Sequence, residues 1–305
     1  MSNIGTIEDA SDVLPVPSSP TTDTASLLAT STVVDTSSPI FPIEVFEHII
    51  DNCCIDEACH WCRRCYIQED QKTLLACALT CKAWLPRSRF QLLRRVTLFK
   101  SQMVKLTRLL NAHPDMANWV QHLAVYIPGD ADHTRHTWNA DALIMLARRM
   151  PMLKCLVFEG AYIYTPRFNR RSTMCLLEFP AITSLSLSHV FLPSVTDLGR
   201  LILSIPALRT LECARVGFKK DGLDFRGLPP RVTRLRLSSV GLDDCPEKDI
   251  VELLLATSTG EHIEALDVRM SIAAYGVRRL LQHSGKALRT LRMFGFREFL
   301  SLWSS

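Results

Sequence analysis

The sequence predicts an α/β fold, a short helical module followed by an irregular stack of strand–helix units that forms a curved parallel sheet backed by helices. Three observations predict it. A six-residue signature, apolar-x-x-Leu-x-apolar, returns along residues 93–305. Segments with helical apolar spacing fill the gaps between successive signatures. Ahead of them, residues 39–92 hold two short amphipathic stretches that are too small to make a core alone. At 305 residues and 47% hydrophobic content, the chain has material for one elongated domain and a small one.

Residues 1–38 are dominated by Ser and Thr, with Pro15, Pro17 and Pro20 and no apolar periodicity, so the expectation is a disordered tail. Its five acids, Glu8, Asp9, Asp12, Asp23 and Asp35, face no base, so the net charge of +4 becomes 35 bases against 26 acids, or +9, on the rest. No run of eighteen apolar residues occurs and the first Lys or Arg is Arg63. The expectation is therefore no membrane span, no signal peptide and a cytoplasmic or nuclear location. The cysteine count of 11 is odd and no Asn-x-Ser/Thr site accompanies it, so the cysteines read as reduced thiols.

The pattern changes at Pro39. In PIFPIEVFEHIIDNC, Pro42 stands at a helix start, Glu44 lies in the first turn, and Val45, Phe46, Ile49 and Ile50 recur at helical spacing. A polar, Cys-rich insertion over residues 51–73 comes next. Beyond it Leu75, Leu79 and Ala83 with Trp84 make a second apolar stripe, and Pro86 is expected to end or kink that helix.

From there the signature appears as LRRVTL ending at Leu98, then around Leu123, Leu156, Leu185, Leu211, Leu235, Leu266 and Leu291. From Leu123 onward the leucines stand 33, 29, 26, 24, 31 and 25 residues apart. ALIMLARRM, VTDLGRLILSI, DIVELLLATS and GVRRLLQHS read as the helices between them. One such strand cannot bury itself, whereas stacked strands and helices share a continuous core. Residues between the buried leucines then face the other side of the sheet, which includes Ser184, Ser186, Glu212, Arg234, Arg236, Asp267, Arg269 and Arg292. Glu212, Arg234, Arg236, Asp267, Arg269 and Arg292 are the candidates for gripping a polar protein surface, with a merely solvated face as the other reading.

These units resemble leucine-rich repeats, although the asparagine ladder of the strict repeat is missing. FPIEVFEHIID followed by LLACALTCKAWLPRSR resembles the F-box family, whose Leu-Pro-x-Glu-Val/Ile opening leads through an Ile-rich helix to a Val-Cys-Arg/Lys-x-Trp element. Phe41 stands in for the leucine, and Thr80, Cys81, Lys82, Ala83 and Trp84 carry the second element. The resemblance implies a three-helix module docked on a Skp-type adaptor, and through it on a cullin-RING ubiquitin ligase, while the repeats hold a client protein. Carried over by position, the adaptor contacts are Phe41, Pro42, Val45, Ile49 or Ile50, Leu79, Lys82 and Trp84. The alternative is a non-degradative scaffold whose amino-terminal helices only cap the repeats. The insertion is longer than the family usually needs.

Cys53, Cys54, Cys59, His60, Cys62 and Cys65 crowd that insertion, and Cys59-x-x-Cys62-x-x-Cys65 has the local reach of zinc ligands. A metal site built from Cys54, Cys59, Cys62 and Cys65 is the alternative; the expectation taken is free thiols, no metal and no cofactor, since every ligand sits in one loop. No acid occurs between Asp70 and Asp115, where nine bases fall, but they alternate with apolar residues as a solvated face does, and an acidic adaptor is a simpler partner than nucleic acid. Phosphate-loop, dinucleotide, nucleophile-elbow and His-Glu-x-x-His motifs are absent, so the expectation is a non-enzyme.

Overall fold

A computed structural model describes residues 42–53, 63–99, 102–126, 145–146, 149–160, 176–220, 236–257, 259–269 and 275–294, with positions 222, 224 and 228. The helical module comprises α1 (Ile43–Asn52), α2 (Arg63–Thr80) and α3 (Leu85–Arg94). Pro42 enters α1 with an extended backbone, Glu44 lies in the first turn, and the Cys53 N–H closes the last turn by donating to the carbonyls of Ile49 and Ile50. The helices meet on a small core of Ile50, Leu74 and Cys77, against which Cys53, Trp84 and Leu92 pack.

Pro86 does not end α2, as its sequence position suggested. It occupies the first turn of α3, where a missing N–H leaves no hydrogen bond unmade. A fork from the Arg87 guanidinium to the Asp51 carboxylate ties α3 to α1, with Nε to Oδ1 at 2.7 Å, Nη2 bonded to Oδ2, and Gln91 Nε2 donating to the same carboxylate. Arg87 also lies 5.3 Å from the centre of the Phe90 ring, which meets Trp119 edge-on at 6.0 Å and joins the module to the segment leading into His122.

Eight strands make one parallel sheet: β1 (Arg95–Phe99), β2 (His122–Tyr126), β3 (Cys155–Glu159), β4 (Ser184–Ser188), β6 (Thr210–Ala214), β8 (Ser239–Asp243), β9 (Ala265–Arg269) and β10 (Thr290–Phe294). They lie side by side in chain order, while β5 (Phe191–Ser194) and β7 (Gly217–Lys220) pair separately. The sheet is backed by helices, among them α4 (Met103–Ala112), α5 (Pro114–Ala117), α6 (Val195–Leu203), α7 (Glu247–Ala256) and α8 (Tyr275–Ser284). The last three coincide with helices expected from the sequence. Ser194 caps α6 by accepting from the Asp197 N–H at 3.3 Å. Among the described residues, no helix is long and apolar enough to cross a membrane.

The register aligns Val96, Leu123, Leu156, Leu185, Leu211, Val240, Leu266 and Leu291 in one column. Three residues earlier, Val120, Leu153, Ile182, Leu208, Leu237 and Ile263 make a second buried column. Each such side chain contributes roughly 1.5–3 kcal/mol by leaving water. The sixth unit corrects the sequence reading. Its strand is centred five residues later than expected, Val240 takes the place assigned to Leu235, and Leu235 itself lies outside the described residues. LSSVGL differs from the signature by valine in the leucine place, whereas VTRLRL matches it in full. With Val240 in place, the intervals around it become 29 and 26 residues instead of 24 and 31.

The strands also share their ends. The carbonyls of Gln121, Lys154, Thr183, Arg209, Ser238 and Glu264 each accept two successive N–H groups at the start of the next strand. Past the last strand residue, Gly160, His189, Arg215 and Asp244 all adopt left-handed backbone, with φ of 74°, 53°, 52° and 46°. Each donates its N–H to the following strand, at 2.9, 2.8, 2.7 and 3.1 Å. The β5–β7 pair depends on Gly217, where a Cβ would stand 2.4 Å from the Phe191 ring.

Candidate functional surfaces

The module presents the first surface. Val45 and Ile49, one helical turn apart on α1, are 41% and 48% exposed, and Leu75 and Leu79, equally spaced on α2, are 52% and 86% exposed. Ile50 is 1% exposed, which decides between the two isoleucines: Ile49 is available to a partner and Ile50 holds the module together. The stripe read from Leu75 to Leu79 faces outward, because Leu74 and Cys77 form the buried side of α2. Pro42 and Lys82 are exposed. Trp84 is half-buried, with its ring 5.2 Å from that of Phe46, so much of its area builds the module. Phe41 lies outside the described residues.

Exposed Ile43 and Leu75 join this surface without having been singled out as partner contacts. The sequence signal was present for Leu75, which stands four residues before Leu79. Lys72, Lys82 and Arg89 are also exposed here. The Arg87 guanidinium holds the Asp51 carboxyl below the usual carboxylate range, against a smaller opposing effect of burial.

The cysteines of the insertion divide along α2. Cys53 packs against the buried cluster of Ile50, Leu74 and Cys77, and burial, then the neighbouring Cys77, pushes its thiol up. Cys65, in the first turn of α2, precedes Cys77 by twelve residues, about 18 Å at ~1.5 Å per residue. Cys54, Cys59 and Cys62, and the side chain of Cys65, lie outside the described residues. Among the described residues no group of three or more His, Cys, Asp or Glu could hold a metal ion.

The second surface is the sheet face opposite the leucine column. Its middle row runs Thr97, Ala124, Val157, Ser186, Glu212, Gly241, Asp267 and Arg292. Ser184 stands in the row before it and Arg269 in the row after. The register shift of β8 removes Arg236 from this face: it sits exposed in the connection three residues ahead of β8, and Arg234 lies outside the described residues. Ser239, Gly241 and Asp243 take their place. Ser186 and Glu212 are buried, flanked on both sides by neighbouring strands.

Asp243 and the left-handed residues were not foreseen. Burial raises the Asp243 carboxyl, with Arg269 and Arg215 opposing it. Arg215 Nη1 lies 2.9 Å from His189 Nε2, its Nε is 3.8 Å from an Asp244 carboxylate oxygen, and Ser188 Oγ is 3.1 Å from His189 Nδ1. Beyond the strands, Glu247 at the start of α7 is buried, accepts the Gly276 N–H at the start of α8, and is pushed by burial to about 7. No protein-family model matches the chain, and no curated protein matches its sequence.

Proposed function

We propose that this chain is the substrate-recognition subunit of an SCF-type ubiquitin ligase, its helices forming an F-box that docks on a Skp-type adaptor and its sheet forming an irregular leucine-rich-repeat solenoid that holds a client. The observation that carries the reading is the outward display of Val45, Ile49, Leu75 and Leu79 by a module whose fully buried apolar residues, among those described, are Ile50, Leu74 and Cys77. Large apolar residues at one-turn spacing on two helices suit a partner groove. They coincide with or adjoin the two motif elements, and exposed Lys72, Lys82 and Arg89 suit an acidic partner. Chain-order parallel stacking with recurrent buried columns supports the solenoid. The subunit supplies proximity to a charged conjugating enzyme, not bond chemistry.

A second reading, a scaffold capped by its first helices, is favoured by the Phe90–Trp119 contact, which packs α3 against the segment leading into β2. Titration of the full chain with a purified Skp-type adaptor separates the two. The informative variant is Ile49→Asp with Leu79→Asp, because both side chains face out and the fold survives their change. Stoichiometric binding lost in that variant supports the receptor; absence of binding by the folded native chain leaves the scaffold.

A further inference from the structure

Cys53 stands where α1 gives way to the insertion, and Cys77 lies on the buried side of α2. Cys77 is buried in a cluster with Ile50 and Leu74, Cys53 packs against that cluster, and the neighbouring Cys77 helps to push the Cys53 thiol up. A hydrophobic cluster needs neither sulfur to be a cysteine. We propose that Cys53 and Cys77 are a reversible disulfide pair that staples α1 to α2 when the module meets an oxidant of the glutathione-disulfide class. Half-buried Cys53 is the accessible partner.

The exchange is balanced in two steps. The Cys53 thiolate attacks one sulfur of glutathione disulfide, forming a mixed disulfide and releasing one glutathione thiolate. Cys77 then attacks the Cys53 sulfur and releases the second glutathione. The two protein thiols are oxidised, one glutathione disulfide is reduced to two thiols, and the two protons pass to them. Burial, then Cys77 and Asp70, disfavour the Cys53 thiolate, so the bond forms faster at pH 9 than at pH 7. The loop closed runs from residue 53 to 77, and fixing it slows opening of α1. Docking enters only through the functional consequence, which rests on the adaptor reading: a stapled pair presents Val45 and Ile49 in fixed relation to Leu75 and Leu79.

The test exposes the full chain carrying Cys54→Ser to glutathione disulfide, alkylates the remaining thiols, and maps linked peptides by mass spectrometry. A Cys53–Cys77 link is expected, reversed by dithiothreitol, with amides of α1 exchanging about tenfold more slowly in the oxidised form. Alkylation of both residues, or joining of Cys53 to a cysteine of the insertion, overturns the proposal. Cys77→Ser controls for folding: it must keep native α1 exchange when reduced yet gain no protection on oxidation. Adaptor titration of both redox forms is read separately, so a missing link and a missing adaptor complex are distinct results.

Discussion

The sheet and the helical module treat large apolar residues in opposite ways. From Leu123 to Leu266 the leucine column is at most 1% exposed, because each strand receives its partner from the next unit. Among the module's described residues the buried apolar ones are Ile50, Leu74 and Cys77, and a polar fork between Asp51 and Arg87 does part of the work of holding the helices. Repetition satisfies a strand from within the chain. A three-helix module has too little interior for that, and Val45, Ile49, Leu75 and Leu79 stay exposed.

The sharpest way to break this contrast is at the centre of the column. Leu211→Ala removes a fully buried side chain between β4 and β8, and a loss of about 3 kcal/mol is expected in urea unfolding. A loss below about 1 kcal/mol would mean that stacking is not what closes the core.

Next comes a charge inside the sheet's helical backing. Glu247 titrates near 7 in the folded chain against an ordinary value of 4.5. Because the folded value is raised, its cost to stability is absent below about pH 4.5, grows as pH rises through 7, and is complete above that. Glu247→Gln should therefore match the native chain at pH 4.5 and exceed it by on the order of 2 kcal/mol at pH 8, after allowance for the lost charged bond from Gly276. Equal stability at both pH values would place the carboxylate in water.

The module's polar fork has the reverse sign. The Asp51 carboxyl is lowered, so its contribution is present above the ordinary carboxylate range and fades as pH falls through the lower folded value. Both partners are about one-third exposed, which limits the effect. Asp51→Asn should cost about 1 kcal/mol at pH 7 and progressively less as pH falls below the ordinary carboxylate range, read as faster amide exchange in α1.

The strand-and-helix alternation was legible because period and spacing are physical requirements of stacking. Leu123, Leu156, Leu185, Leu211, Leu266 and Leu291 all landed in one column. The sixth unit misled because VTRLRL matches the six-residue pattern around Leu235, whereas LSSVGL carries Val240 in the leucine place, and pairing with the neighbouring strands selects Val240. That single shift also misplaced Arg236. Left-handed turns at His189, Arg215 and Asp244 were illegible, since Arg gives no local sign of positive φ and the backbone bonds that impose it come from the adjacent strand. In the module, amphipathic spacing found α1 and part of α2 but carried the second stripe past Thr80 to Ala83 and Trp84, and did not show which flank of α2 is buried. Leu74 and Cys77 compete with Leu75 and Leu79 at the same helical period, and the packing of α3 decides.

The smallest stability effect carries the most functional weight. Leu79 is 86% exposed, so Leu79→Ser leaves unfolding within about 0.5 kcal/mol of the native chain. Were Leu79 there only to cap the sheet, its removal would change nothing else. If it is a docking anchor, the same substitution weakens the adaptor complex by about tenfold or more, the usual loss for a truncated interface anchor. Measuring both quantities on one variant separates what folds the module from what the module is for: unchanged unfolding with lost binding assigns the outward leucine to a partner, and unchanged binding returns it to solvent.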